Sequence, residues 1–268
     1  MNVQLLPCRF PLKEGEWTLA MHAGILKYGD KATVVHAYRN KYDASVVWGI
    51  RRRWSSYVIM QGKPVIVIER GYLGERKNTW LSVGNGGLNG LANFGNHDVP
   101  PDRWERYWAD QVKPWKKGGK YALIMGQVPK DSSLYGRCPY QWARSIYPAA
   151  LEKFKKVFFR PHPEAKLPQD LGIPIMEGDL VEALDDAKAV ITYSSNSAVD
   201  AVMNGIPAIT CHRGTMAWDV SSHSFKEPLY KGDRDEWGAR IAYAQWHIDE
   251  IASGEAWQHI RKTIYEDG

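Results

Sequence analysis

The chain has 268 residues, of which 44% are hydrophobic and 24% charged, and its formal net charge at pH 7 is +5. This length and composition exclude a disordered or fibrous protein and predict one large or two small globular domains. Three widely spaced cysteines, Cys8, Cys138 and Cys211, argue against a disulfide framework or a metal cluster and favour a cytoplasmic protein. The sequence starts without the basic and apolar pattern of a signal peptide, and no stretch approaches about 18 uninterrupted apolar residues.

Basic residues are concentrated in the first part of the chain. Residues 1–120 contain 19 Lys and Arg against 10 Asp and Glu, a net of +9, whereas residues 121–268 contain 16 against 20, a net of −4. Cations interleaved with tryptophans suit an anionic partner such as nucleic acid or a phosphorylated glycan, although a solvated surface carries such charge equally well. The residues that we predict to contact such a partner are Arg51, Arg52, Arg53, Trp54, Arg103, Lys116 and Lys117.

The first part of the chain alternates helical and strand patterns. Apolar periodicity predicts helices over residues 16–27 and 51–61. Short apolar runs of buried-strand type occupy residues 32–36, 45–48 and 65–68. This order is typical of βαβ units.

Two stretches between the apolar runs are rich in glycine. Residues 84–95, GNGGLNGLANFG, predict a long flexible loop that continues through residues 98–103, and such a loop is more often functional than idle. Residues 113–120, KPWKKGGK, have the composition of a linker. We therefore expect a first domain over residues 1–118 and a second over residues 119–268.

The second part repeats the alternation. Strands are predicted at residues 121–125 and 157–160, and helices at residues 140–154 and 180–187, with helical segments from residue 236 to the end. The expected fold is α/β, with two Rossmann-like βαβ domains and C-terminal helices.

Residues 191–210, ITYSSNSAVDAVMNGIPAIT, run from a strand through four small polar residues into a helix. In an open α/β sheet, such a turn is where ligands bind, because free N–H groups and the positive end of the helix dipole face an anion there. Ser194, Ser195, Asn196 and Ser197 are therefore predicted to bind phosphate. Helix capping is the alternative, since Ser197 and Asp200 have the spacing of a capping box, but it leaves Ser194 and Ser195 unexplained.

A histidine follows another predicted strand, in Arg160-Pro161-His162-Pro163. The flanking prolines hold His162 near the carboxyl end of that strand, where it can converge with the serine turn on one phosphate. A loop histidine bonded to its local backbone is the simpler interpretation when His162 is considered alone.

Together these stretches resemble a known family. FRPHP at residues 159–163, a GDL…AL segment at 178–184 and the serine turn resemble the donor half of GT-B glycosyltransferases, in particular bacterial capsule-type Kdo transferases and sialyltransferases with HP and Ser/Thr motifs. Residues 126–133, GQVPKDSS, resemble the stretch that opens the second domain of capsule-synthesis proteins. The resemblance covers residues 121–212.

The resemblance implies that two Rossmann-like domains face a central cleft, the first receiving the acceptor and the second a UDP- or CMP-linked sugar. It implies that Arg160 and His162 contact the donor phosphate, that the serine turn binds it, and that Asp200 reaches the ribose. It also implies catalysis with no metal and no further cofactor.

An inverting transfer needs a base that takes the proton of the acceptor hydroxyl. Residues 69–76, ERGYLGER, resemble the EDGFLR-type stretch that supplies this base in the same transferases, but Arg70 stands where an acid is expected. The candidate bases are Glu69 and Asp98, with His22 and His97 as weaker alternatives.

These observations predict a cytoplasmic glycosyltransferase with an anionic acceptor. The specific hypothesis is a 5-hydroxymethylpyrimidine base in DNA, as in bacteriophage DNA modification, flipped toward the cleft. A capsule- or lipopolysaccharide-type transferase, a sugar-nucleotide epimerase and a non-catalytic DNA-binding protein remain alternatives.

Overall fold

The computed structural model describes residues 1–7, 14–50, 53–74 and 79–266. The chain divides into two compact units, a first unit of Met1–Trp108 with Gly238–Gly268 and a second unit of Ala109–Trp237. None of the helices in the described ranges is long and apolar enough to cross a membrane.

The strands are β1 (Asn2–Leu6), β2 (Lys31–Val34), β3 (Ala44–Trp48), β4 (Val65–Arg70), β5 (Trp80–Asn85), β6 (Tyr121–Met125), β7 (Val157–Arg160), β8 (Ala187–Thr192), β9 (Ala208–Thr210) and β10 (Gln245–His247). The helices are α1 (Glu14–Lys27), α2 (Arg53–Ile59), α3 (Asp102–Tyr107), α4 (Pro139–Phe154), α5 (Leu180–Asp185), α6 (Ser197–Met203), α7 (Asp235–Ala242), α8 (Ile248–Ser253), α9 (Glu255–Ile260) and α10 (Thr263–Glu266).

The first unit is built on a six-stranded sheet in the order β10-β5-β4-β3-β1-β2. β2, β1, β3 and β4 are parallel, whereas β5 and β10 are antiparallel to their neighbours. Trp17, Met21 and Ile25 recur every four residues on one face of α1 and pack against the sheet. Val58 of α2 packs with Val67 and other valines on the opposite face, so helices cover both faces.

The second unit has a four-stranded parallel sheet in the order β7-β6-β8-β9. Trp142 and Ala150 of α4 pack on one face, and Leu184 of α5 with Ala201 of α6 packs on the other. Both units are therefore Rossmann-like, and the predicted α/β fold class is confirmed.

The C-terminal residues belong to a different unit from the one predicted. Residues 238–268 form part of the first unit, where β10 extends the sheet beyond β5. Trp246, Trp257 and Ile260 are buried in the same core as α1. These apolar side chains cover a sheet formed more than a hundred residues earlier in the chain. The predicted domains each take one continuous stretch of sequence, so they do not include a C-terminal segment that packs back on the first sheet.

The predicted linker is a packed part of the second unit. The backbone N–H groups of Lys113 and Lys116 donate to the carbonyls of Met203 and Gly205, each at 2.8 Å. The Lys116 ammonium donates to the last two carbonyls of α5 at 3.0 and 2.8 Å. The units therefore divide between residues 108 and 109, ahead of the predicted boundary between 118 and 119.

We expect Gly205→Ala to destabilise the second unit because of this packing. Gly205 has a φ of +72°, and an added Cβ would lie 2.1 Å from the carbonyl oxygen of Pro114. Gly172 has a nearly identical φ of +71°, but apart from its chain neighbours no atom of the described residues lies within 4 Å of the Cβ position. Urea unfolding should show a loss of about 3 kcal/mol for Gly205→Ala and about 1 kcal/mol for Gly172→Ala. Equal losses would mean that the Pro114 contact contributes nothing.

The glycine-rich stretch is a loop, as predicted, but it is packed against the first sheet. Asn85 and Asn93 exchange two backbone hydrogen bonds of 2.8 and 2.9 Å, and Leu88 and Phe94 are buried. A Cβ at Gly84 would lie 2.7 Å from the Phe94 ring, so this position requires glycine. The predicted flexible loop is thus folded and packs against the first sheet.

His259 of α9 anchors this loop, since its Nε2 lies 2.9 Å from the carbonyl oxygen of Phe94. A carbonyl accepts, so Nε2 carries the proton. The pKa of His259 is lowered to about 4, chiefly by burial and also by the charges of Lys262 and Arg103, against the opposing effect of the Phe94 hydrogen bond. The imidazole is therefore neutral at pH 7.

We expect the chain to lose stability as the pH falls from 6.5 toward 4. The pKa of His259 is about 4 when folded against an ordinary 6.5, so in this window the unfolded chain binds a proton that the folded chain does not. This stabilising contribution is fully present above pH 6.5, and its loss reaches about 2.5 kcal/mol by about pH 4.5. Urea unfolding at several pH values measures it. His259→Gln keeps a donor for Phe94 without a titrating group and should show a shallower dependence; an unchanged slope would contradict this assignment.

Candidate functional site

The four strands of the second sheet are all parallel, so their carboxyl ends lie along one side of the sheet, which we call the carboxyl edge. Four chain segments leave the sheet there. Gln127 follows β6, His162 follows β7, Ser194 follows β8 and His212 follows β9. The strand order places His162 and His212 at the two ends of this edge, with Gln127 and Ser194 between them. Neighbouring strands lie about 4.8 Å apart, so the edge spans about 14 Å.

A buried hydrogen-bond network fixes the middle of this edge. Gln127 Nε2 donates to Ser133 Oγ at 3.1 Å and to Ser194 Oγ at 3.2 Å, and Gln127 Oε1 accepts from Ser194 N at 3.2 Å. Ser194 Oγ donates to the carbonyl of Ser133, whose N and Oγ donate to Asp131. Ser194 is 1% exposed. Its predicted contact with phosphate is therefore wrong for this arrangement; it positions the turn.

The capping role belongs to Ser195. α6 begins at Ser197, and its N-cap residue Asn196 makes no side-chain cap, so the predicted capping box from Ser197 to Asp200 does not form. Instead Ser195 Oγ accepts from Ser197 N at 3.2 Å and from Ser197 Oγ at 2.9 Å. With two bonds accepted, the hydroxyl proton of Ser195 remains available to a ligand. Ser197 is buried, whereas Asn196 and Asp200 are half-buried beside it.

His162 is held in one tautomer by its own loop. Its Nδ1 accepts from the backbone N–H of Glu164 at 3.2 Å, so the neutral ring carries its proton on Nε2. Arg160, at the end of β7, donates from Nη2 to the carbonyl of Gly178 at 2.9 Å, which ties down the segment before α5. His162 thus carries a hydrogen-bond donor on Nε2, just after the carboxyl end of β7.

His212 is a candidate site residue that the sequence reasoning missed. Its Nδ1 accepts from Gly214 N at 3.0 Å, which leaves the proton on Nε2, as in His162. The ring stacks on Tyr135, with centroids 4.4 Å apart, and lies 5.0 Å from the ring of Tyr193. Burial lowers the pKa of His212 and raises the pKa of Tyr135 to about 12, so both rings are neutral at pH 7. The position after a short buried strand was the available signal, as it was for His162.

Three side chains at this edge therefore carry hydrogen-bond donors: His162 Nε2–H, Ser195 O–H and His212 Nε2–H. Phosphate and hydroxyl oxygens accept such bonds. Among the residues that the structure describes, no three His, Cys, Asp or Glu side chains are grouped to hold a metal ion. Cys138 and Cys211 are free thiols, and burial raises the pKa of Cys211 to about 11.

The first unit separates the two candidate bases. Glu69 lies at the carboxyl end of β4, and the chain after it is fixed by the buried Gln245, whose Oε1 accepts from Tyr72 N at 2.6 Å and Leu73 N at 2.9 Å. Asp98 is exposed in the loop that leaves β5 at the opposite edge, where Asn85 pairs with the start of β4. Of the weaker alternatives, His22 is half-buried on α1 and His97 is exposed.

Arg103 is not a surface residue, which corrects its predicted role in acceptor binding. It is 7% exposed, pairs with Glu250 at 2.7 and 2.9 Å, and donates to the carbonyls of Ala242 and Gln245 at 3.2 and 3.1 Å. These bonds commit four of its five N–H groups, so it supports the fold.

The other predicted acceptor residues have mixed outcomes. Lys116 is committed to the end of α5, whereas Lys117 is exposed. Arg51 and Arg52 lie outside the described residues, as do the side chains of Arg53 and Trp54 at the start of α2.

The charge asymmetry largely disappears when it is counted over the folded units. The first unit contains 18 Lys and Arg against 14 Asp and Glu, a net of +4, and the second contains 17 against 16, a net of +1. The predicted split of +9 and −4 arose because the basic residues 113–120 pack in the second unit and the acidic C-terminal segment packs in the first.

Two solved structures from Thermosulfurimonas dismutans are similar to this chain over almost its whole length. The KpsC β-Kdo 2,4 transferase is 16% identical with a TM-score of 0.60, covering 94% of this chain and 98% of that one. The KpsC β-Kdo 2,7 transferase is 13% identical with a TM-score of 0.58, covering 98% and 99%. This chain shares their fold. No protein-family model and no curated protein matches its sequence.

Proposed function

We propose that this chain is a glycosyltransferase that takes its sugar from a UDP- or CMP-linked donor. The observation that carries the proposal is the row of donors His162, Ser195 and His212 along the carboxyl edge of the second sheet. The shared fold with two Kdo transferases supports it, since the similarity covers 94% and 98% of this chain and 98% and 99% of theirs.

The side chains at the carboxyl edge have different roles in the proposed reaction. His162 and Ser195 bind phosphate oxygens, and they strengthen those bonds as the sugar–phosphate bond breaks and negative charge grows on the leaving group. The exposed ring of Tyr135, which stacks on His212, offers a flat surface for the nucleobase, and Asp200 accepts from a ribose hydroxyl. The Gln127 network keeps the serine turn in place without touching the donor.

The acceptor side of the proposal rests on Glu69. A carboxylate at the carboxyl end of β4 takes the proton of the attacking hydroxyl, so that the new glycosidic bond forms as the phosphate leaves. The chain supplies no acid at position 70, and Glu69 is therefore the base in this proposal.

A 5-hydroxymethylpyrimidine base in DNA stays part of the proposal as one acceptor to test. The charge of the folded units and the commitment of Arg103 and Lys116 remove much of its support, leaving Lys117 and the basic residues 51–53. A capsule-type glycan is the other acceptor, and the fold shared with two Kdo transferases favours a glycan.

The proposal is tested with UDP- and CMP-sugars incubated with the chain and hydroxymethylated DNA, unmodified DNA, oligosaccharides or no acceptor, with products identified by mass spectrometry. His162→Ala and Ser195→Ala should each lower transfer about 100-fold, because each removes one donor to the leaving phosphate. His223→Ala and Ser145→Ala, exposed positions in the same unit, should leave it unchanged.

Three outcomes would overturn the proposal. Nucleotide release without a glycosylated product points to an epimerase. DNA binding with no turnover of any donor points to a non-catalytic protein. If neither His162→Ala nor Ser195→Ala lowers transfer, the nucleotide sugar binds elsewhere.

A further inference from the structure

A second concave site lies wholly within the first unit. It is a cavity of about 440 Å³ bounded by α3, β10, α8 and α9. Ligand pockets in proteins occupy about 300–1,000 Å³, so this cavity has the size of a small-molecule site. Neither Glu69 nor Asp98 lines it.

Aromatic rings and a closed ion pair form much of its wall. Tyr107, Tyr243 and Trp246 surround Arg103, whose Cζ lies 4.0 Å from the Trp246 ring centroid. Arg103 is neutralised by Glu250. Because the guanidinium covers one face of the nearly buried Trp246, the half-buried Tyr107 and Tyr243 provide the aromatic surface toward the cavity. The closed ion pair leaves no uncompensated charge in this wall.

His259 adds a hydrogen-bond acceptor to this wall. Its ring lines the cavity and is 7% exposed, and its Nε2–H is committed to Phe94. Nδ1 then carries the lone pair, and no hydrogen bond from the described part of the chain reaches it. Such an acceptor can bind an O–H or N–H donor of a ligand.

The exposed rim is polar and balanced in charge. Asp102 and Glu255 provide carboxylates, Arg106 and Lys262 provide cations, and Gln258 provides an amide. This mixture does not select an anion or a cation. It suits a ligand with many hydroxyl groups and one apolar face.

We propose that this cavity binds a sugar ring, and specifically a saccharide unit of the acceptor other than the one that reacts. The C–H face of the ring lies on the aromatic wall, and its hydroxyl groups donate to His259 Nδ1 and the rim carboxylates. This inference rests on the proposed glycosyl transfer and names a glycan as the acceptor. Contacts to a non-reacting part of a substrate hold its reacting part in place.

The test measures binding without a donor. Methyl α-D-mannopyranoside, methyl β-D-galactopyranoside, N-acetylglucosamine and the methyl glycoside of Kdo are titrated by calorimetry and saturation-transfer NMR. One of them should bind the wild-type chain. Gln258→Ala and His259→Gln should each weaken that binding roughly fivefold or more, by loss of a hydrogen bond. Gln141→Ala, also an exposed helical glutamine but in the second unit, should not.

Gln258 is exposed, so its variant tests the site even if His259→Gln perturbs folding. Absence of binding to all four glycosides, or affinities unchanged in both variants, would overturn the inference. Inorganic phosphate bound with the same sensitivity to Gln258 would also overturn it, in favour of an anion site.

Failure of this inference is separable from failure of the proposed function. If Gln258→Ala weakens binding of a glycoside but the chain transfers no sugar, the inference about the cavity stands and the proposed transferase activity is wrong. If the chain transfers sugar to a glycan and the acceptor KM is the same for wild type and Gln258→Ala, the proposed activity stands and the inference about the cavity is wrong.

Discussion

Arg103→Ala is expected to destabilise the first unit by about 3–5 kcal/mol, because it leaves the half-buried carboxylate of Glu250 without its partner. Burial alone would raise the pKa of Glu250, but the bonds from Arg103 and from His247 N hold that pKa below its ordinary value. The substitution also exposes the Trp246 face that the guanidinium covers. Urea unfolding monitored by tryptophan fluorescence measures the loss.

Arg106 provides the matched control. It lies on the same helix, three residues later, and is exposed, so Arg106→Ala should change the unfolding free energy by less than about 0.5 kcal/mol. Glu250→Gln should recover part of the loss when it is combined with Arg103→Ala, since the double variant no longer buries an unpaired charge. If Arg103→Ala weakens acceptor binding while stability is unchanged, its original assignment to the acceptor surface is restored.

The elements that sequence reasoning predicted well are those whose apolar pattern is complete within a short window. β6 and β7 occupy the predicted residues, and α1 and α4 begin and end within two residues of their predicted bounds. Strong periodicity and a clear stop, such as Asn204-Gly205 after α6, determine these elements locally.

The strands that were missed depend on distant partners. β5 carries Ser82, Gly84 and Asn85, and its last residues fell within the predicted loop; it exists because β4 and β10 pair with it. β10 has three residues, too few for any periodic signal. β1 lies in the N-terminal segment, for which the sequence analysis predicts no strand.

The candidate site shows the same limit at the level of single side chains. The rule that ligands bind after parallel strands located His162 and the serine turn from sequence alone. It did not show that Ser194 faces Gln127 and Ser133, because that network joins residues up to 67 positions apart. Applied to the strand that ends at Thr210, the same rule would have identified His212.

Glu69→Gln is expected to reduce sugar transfer about 10²- to 10⁴-fold, whereas Asp98→Asn should leave it within about twofold. Glu69 lies where the parallel strands end, whereas the loop that later contains Asp98 leaves β5 at the opposite end of the sheet.

Local order gives a second reason to favour Glu69. The chain that follows it is held by three hydrogen bonds to the fully buried Gln245 side chain, and a Cβ at Gly71 would lie 2.9 Å from Gln245 Oε1. A base fixed in this way loses little conformational freedom when the acceptor binds.

The measurement is kcat for both variants with the donor and acceptor identified by the product panel, together with the Kd of the donor. Glutamine has the size of glutamate and cannot accept the proton, so loss of a base lowers kcat while donor affinity stays unchanged. A weaker donor affinity with an unchanged kcat would make Glu69 a binding residue, and a loss confined to Asp98→Asn would move the base to the loop after β5. Either result would require the acceptor hydroxyl to lie elsewhere than at the end of β4.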